Sequence, residues 1–114
     1  MVEIEFPIYA LTGLFESTKI PTGTRREVPG SAIIELGPMP VEQRDNRFAY
    51  DAAPILTMFV HIGSDVAVGL FTAWLYDKLK TAKVRRIKIN RRSIEVTPEG
   101  ILKAVEESIE VGEQ

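Results

Sequence analysis

Cysteine is absent and histidine occurs once, at His61. The first absence excludes disulfides, thiolate zinc sites, iron–sulfur clusters and cysteine nucleophiles; the second excludes any multi-histidine metal site. No metal centre and no cofactor are therefore expected. Long apolar runs are missing as well. The stretch from Ala52 to Tyr76 is interrupted by Pro54, His61, Gly63, Ser64 and Asp65. A spanning helix needs about 20 predominantly apolar residues, and an aspartate at mid-depth costs roughly 2.5–3.5 kcal/mol, so no membrane span is expected. The N-terminus, Met1-Val2-Glu3-Ile4-Glu5, is acidic and alternating. No secretory signal is expected from it, and cytoplasmic residence is the expectation. Aromatic residues are absent from Lys78 to the C-terminus. Phosphate-loop, dinucleotide, zinc and calcium motifs do not occur.

What is present is one domain's worth of chain: 114 residues, of which 45% are hydrophobic and 26% charged, enough for a single core. Val2, Ile4, Phe6 and Ile8 alternate with Glu3, Glu5, Pro7 and Tyr9, which predicts a strand over 2–9 with one wet face. Pro7 lacks an N–H and favours a sheet edge or an unpaired side of the strand. Residues 10–30 lose the pattern, punctuated by Gly13, Pro21, Gly23, Pro29 and Gly30, and read as an irregular loop. A second strand is expected over 32–36, closed by Gly37-Pro38. A second irregular loop, 37–53, follows with Phe48 and Tyr50 as anchors.

The remainder is better specified. Leu56, Met58, Val60 and Ile62 share one face of a predicted strand, and Ile55, Thr57, Phe59 and His61 the other. Ser64-Asp65 supplies a cap and first-turn carboxylate for a helix over 65–80. Residues 84–89 and 94–96 read as a hairpin. A four-residue loop, 90–93, would set Ile89 against Ile94, Ile87 against Val96 and Lys88 against Glu95. Thr97-Pro98-Glu99 then opens a last helix, with Ile101, Leu102, Val105 and Ile109 inward and Glu106, Glu107 and Glu110 outward. The expected fold is α+β: a small, mainly antiparallel sheet in the order β-β-β-α-β-β-α, two helices packed on one face, in a single domain over 1–114.

Three features could carry function. Residues 78–92 hold eight cations and no acid, whereas 1–77 carry −5 (5 basic, 10 acidic) and 93–114 carry −5 (1 basic, 6 acidic). Lys83, Arg85, Arg86, Lys88, Arg91 and Arg92 thus form a basic hairpin that could dock nucleic acid or an acidic protein. They could equally neutralise the acidic elements beside them and protect a sheet edge. The helix over 65–80 is apolar or small around most of its circumference. Val68, Phe71, Leu75 and Leu79 make one stripe, continued by Ala67, Leu70 and Trp74. Gly69 and Ala73, flanked by Thr72 and Tyr76, make a second face. A chain this short has little material to cover both, so Gly69, Thr72, Ala73, Trp74 and Tyr76 are candidate interface residues, with a second copy as partner. A ligand or catalytic site around His61, Asp65 and Tyr50 is a third reading. Nothing arranges Ser64 or Thr57 as a nucleophile, so no catalytic residue is assigned.

The run Ile62-Gly63-Ser64-Asp65-Val66-Ala67-Val68-Gly69-Leu70 through Trp74-Leu75-Tyr76-Asp77-Lys78-Leu79-Lys80, with Arg86-Ile87-Lys88-Ile89-Asn90 and Ile94-Glu95-Val96-Thr97-Pro98-Glu99, carries a resemblance. Over residues 60–105 it is similar to small bacterial proteins that include constant components of effector and defence systems. The resemblance implies a non-enzymatic adaptor or accessory module. From the apolar circumference of the 65–80 helix, the two long loops and the lack of a catalytic constellation, the expected function is protein–protein interaction with self-association, loops 10–30 and 37–53 meeting a partner.

Overall fold

The computed structural model describes residues 1–16, 20–38, 54–62 and 65–112. Among these residues six strands make one sheet: β1 Val2–Pro7, β2 Arg25–Val28, β3 Ala32–Leu36, β4 Ile55–His61, β5 Arg86–Ile89 and β6 Arg92–Glu95. Their order is β2-β3-β4-β1-β5-β6, and every neighbouring pair is antiparallel. Three α-helices accompany it among the described residues: α1 Leu11–Phe15, α2 Asp65–Thr81 and α3 Pro98–Gly112. This is the expected α+β class with two additions. The stretch 10–30, expected to be irregular, contains α1 and β2. Neither element has the length for its periodicity to register: α1 has five residues and β2 four. Most of the second expected loop, from 39 to 53, lies outside the described residues.

The first strand stops at Pro7 rather than Tyr9, and Ile8–Ala10 turn into a 3-10 helix that leads to α1. Pro7 sits in a central strand but pairs only with Ile55 of β4; on the β5 side the paired residues are Ile4 and Glu5. The missing N–H therefore leaves no gap in a ladder. Alternation fixes the layers. Val2, Ile4 and Phe6, Leu56, Met58 and Val60, Ala32, Ile34 and Leu36, and Ile87 and Ile89 point to one face and are all buried. On them lie Val68, Phe71, Leu75 and Leu79 of α2, Ile101, Ala104 and Val105 of α3, and Leu11, Leu14 and Phe15 of α1. In the helical layer α2 touches α1 on one side and α3 on the other.

The β5–β6 hairpin corrects the expected register. Its loop is two residues, Asn90-Arg91, with Ile89 opposite Arg92, Lys88 opposite Ser93, Ile87 opposite Ile94 and Arg86 opposite Glu95. Both loop residues have positive φ, 48° and 69°, as a type I′ turn requires. Asparagine tolerates that conformation, and here it is also anchored. Its N–H donates to the Glu3 carbonyl at 2.7 Å, and its Oδ1 accepts the Glu3 N–H at 2.8 Å. The tighter turn puts Arg92 on the helical side, where it pairs with Glu107 at 2.8 Å. Glu107 is thus engaged by the hairpin rather than left to solvent alone.

Helix ends follow local chemistry. The Thr97 Oγ1 accepts the Gly100 N–H at 3.0 Å and caps α3 as anticipated. Ser64 lies outside the described residues, so the expected cap of α2 is not placed. At the other end of α2 the Val84 N–H donates to the Leu79 carbonyl, 2.9 Å, and the Lys83 N–H to that of Lys80, 3.0 Å. That pair of bonds is a Schellman closure, and Lys83 holds its left-handed position at φ 62°. Lysine is strained there, whereas glycine is not. Lys83→Gly is expected to raise stability by up to about 1 kcal/mol, read from urea unfolding midpoints. A loss of stability would show that the lysine side chain contributes more than its backbone strain costs.

Candidate functional site

All three helices pack on one side, so the other face of the sheet carries no layer formed by the described residues. It is built from the alternate residues of each strand. From β4 to β6 a central row reads Thr57, Glu5, Lys88, Ser93, each in register with the next. Beside it runs the row Glu35, Phe59, Glu3, and Arg25 of β2 closes that row with an ion pair to Glu35 at 2.8 Å. His61 ends β4 opposite Ile33. Ile33 and Ile55 are exposed on this face, and Phe59 is half-buried.

A cleft of about 230 Å³ opens on this surface, bounded by Glu5, Lys88, Arg86 and Ser93 with Pro7 and Ile55 as apolar lining. It crosses the seam between β1 and β5. Arg86 is held by a hydrogen bond from its Nη1 to the Ser93 Oγ, 3.1 Å. Glu5 and Lys88 are cross-strand neighbours, yet the ion pairs among described residues are Arg25–Glu35, Arg26–Glu16 and Arg92–Glu107. The seam thus offers one carboxylate, one ammonium, one guanidinium and a short apolar floor. Such a set can meet complementary charges, but it holds no nucleophile–base pair and no convergent carboxylates. Among the described residues no cluster of three or more His, Asp or Glu side chains could hold a metal ion. None of the described helices is long and apolar enough to cross a membrane.

The hairpin cations do not share one surface. Arg86 and Lys88 lie on the open face and Arg92 on the helical side with Glu107. Arg91 is at the hairpin tip, while Lys83 and Arg85 precede the hairpin at its opposite end. A run of charge in sequence is thereby divided between two faces and two ends. Strand pleating imposes that division, since successive side chains alternate.

The α2 candidates separate in the same way. Thr72 is buried, 5% exposed, and its Oγ1 donates to the Gly69 carbonyl at 3.2 Å. Trp74 is half-buried beside Phe71, with the Arg26 guanidinium 5.9 Å above its ring. Arg26 also pairs with Glu16 and donates to the Leu14 carbonyl, so β2 and α1 together cover that flank. Tyr76 is half-buried, with the Lys80 ammonium 5.8 Å from its ring. Only Gly69 and Ala73 of the five are exposed. Leu70, expected to extend the buried stripe, is instead 62% exposed next to them. Its position, about 100° further round the helix than Gly69, carries it to the outer side.

Tyr50 lies outside the described residues, as does the side chain of Asp65, so the proposed trio with His61 has one placed member. Phe59, Thr57, Ile33 and the Glu5–Lys88 seam were not among the sequence candidates. For Phe59 and Thr57 the signal was the second face of the 55–61 strand, which carries Ile, Thr, Phe and His where a solvated face would carry charge. No protein-family model matches this chain, and no curated protein or solved structure matches it.

Proposed function

We propose that this chain is a non-enzymatic interaction module that docks a protein on the open face of its sheet. The observation that carries the reading is the one-sided architecture. Among the described residues, six strands receive helices on a single face, and the other presents Phe59, Ile33 and Ile55 among ordered charges. Aromatic and aliphatic anchors with a polar surround make up the composition of a protein-binding surface. Nucleic-acid binding through the hairpin has weaker support, because its cations are divided and no aromatic interleaves them.

A photo-reactive amino acid placed at Thr57 should yield a protein adduct in cells that express the chain. The same group at Lys103, exposed on α3, should yield none. No adduct at position 57, or equal labelling from both positions, would remove the sheet face from consideration.

A further inference from the structure

We propose that the occupant of the open face is a second copy of this chain, related by a two-fold axis along the β1–β5 seam. This rests on the reading of that face as the docking surface and names its partner. The open face is complementary to itself. A two-fold interface requires that whatever residue i meets, the partner residue also meets i. An axis lying in the interface parallel to the strands, between β1 and β5, exchanges those two strands and preserves position along them. Glu5 of one copy then lies over Lys88 of the other, and Lys88 over Glu5. One strand further out, Thr57 of β4 lies over Ser93 of β6.

The central row Thr57, Glu5, Lys88, Ser93 is therefore its own complement when reversed. Hydroxyl meets hydroxyl and acid meets base at both ends. The adjacent row behaves likewise. Phe59 and Glu3 are level with Asn90, so the rotation carries the hairpin tip of one copy, with Arg91, toward the Phe59 ring of the other. A guanidinium over an aromatic face is attractive. The cleft bounded by Glu5, Lys88 and Ser93 lies on the axis and is filled from both sides. Moving the axis to the β4–β1 seam would instead set Glu3 and Glu5 opposite Thr57 and Phe59 and leave the cations uncompensated. The charges select the β1–β5 seam.

The overlap is small. Four strands about 4.8 Å apart and about five residues long at 3.4 Å each cover roughly 19 by 17 Å. That is below the roughly 800 Å² per partner of a standard interface, so a weak, transient dimer is expected. Its charge pairs lie near solvent, and salt should weaken it.

Sedimentation of the full chain from micromolar to millimolar concentration tests this. The wild type should dimerise, more tightly at low salt. Glu5→Lys alone and Lys88→Glu alone set like charges across the axis, and each should weaken association at least about ten-fold. An equimolar mixture of the two should associate again. The introduced lysine of one chain then meets the introduced glutamate of the other, and the native Lys88 of the first meets the native Glu5 of the second. That rescue cannot come from repaired folding, since each chain keeps its own like-charged neighbours on β1 and β5. Should either variant fail to fold, single cysteines serve instead. Thr57→Cys mixed with Ser93→Cys should join through a short bis-maleimide, and neither variant should join to itself. Within one chain these positions are three strands apart. A wild type that stays monomeric, a mixture that does not recover, or a dimer indifferent to position 5 overturns the proposal. A monomeric wild type whose position 57 still captures a different protein overturns the second copy and leaves the docking face standing.

Discussion

Gly30→Ala is expected to lower stability by about 3 kcal/mol, and the melting temperature by more than about 10 °C. Two causes add. Gly30 turns the β2–β3 hairpin at φ +91°, a conformation that favours glycine. A Cβ built there would also lie 2.5 Å from the Ala67 carbonyl oxygen and 3.1 Å from the Phe71 nitrogen. Those atoms are helix backbone and cannot rotate away, so the hairpin must lift off α2. Gly23 separates the causes. Its φ is +88° but nothing lies within 4 Å of a Cβ built there, so Gly23→Ala should cost only about 1 kcal/mol of backbone strain. Urea unfolding of both variants reads the difference. Equal losses would mean that the contact between the hairpin tip and α2 contributes little.

That contact explains why part of the fold was hidden in the sequence. Alternation in 2–9 and 55–62 and a cap at Thr97 are local signals, and the strands and helix they predict are present. The β2–β3 hairpin is not a local event. Its Pro29-Gly30-Ser31 loop has meaning only when a helix backbone about 40 residues later presses against it, and Gly30 alone in sequence reads as punctuation. The β5–β6 register failed for a related reason. Matching charges and aliphatics favoured a four-residue loop, but Asn90 is fixed by two bonds to Glu3, 87 residues away. Tertiary anchoring overrode pair preference. The candidate site shows the same division. The eight cations were visible as a run, but whether a run becomes a patch depends on pleat and pairing. Two of its members, Arg86 and Lys88, line one cleft with Glu5 across a seam that no local window contains.

Phe71→Ala should cost about 3–5 kcal/mol, while Leu70→Ala, one residue away, should change stability by less than about 0.5 kcal/mol at micromolar concentration. The contrast decides how α2 is used. Its composition suggested a rod too apolar for one chain to cover. In the fold Phe71 is fully buried, Thr72 is buried and Trp74 sits under Arg26. Gly69, Leu70 and Ala73 stay outside, and Leu70 is their only large apolar side chain. A single exposed leucine is ordinary for a protein surface, whereas an occupied helix face would make the cost of its truncation rise with the logarithm of protein concentration. Chemical unfolding of Leu70→Ala across a hundredfold range of concentration therefore discriminates. A penalty that grows with concentration would move the self-association surface from the sheet to α2. A penalty that stays small throughout leaves the open face, with its paired rows of acid and base, as the surface through which two copies meet.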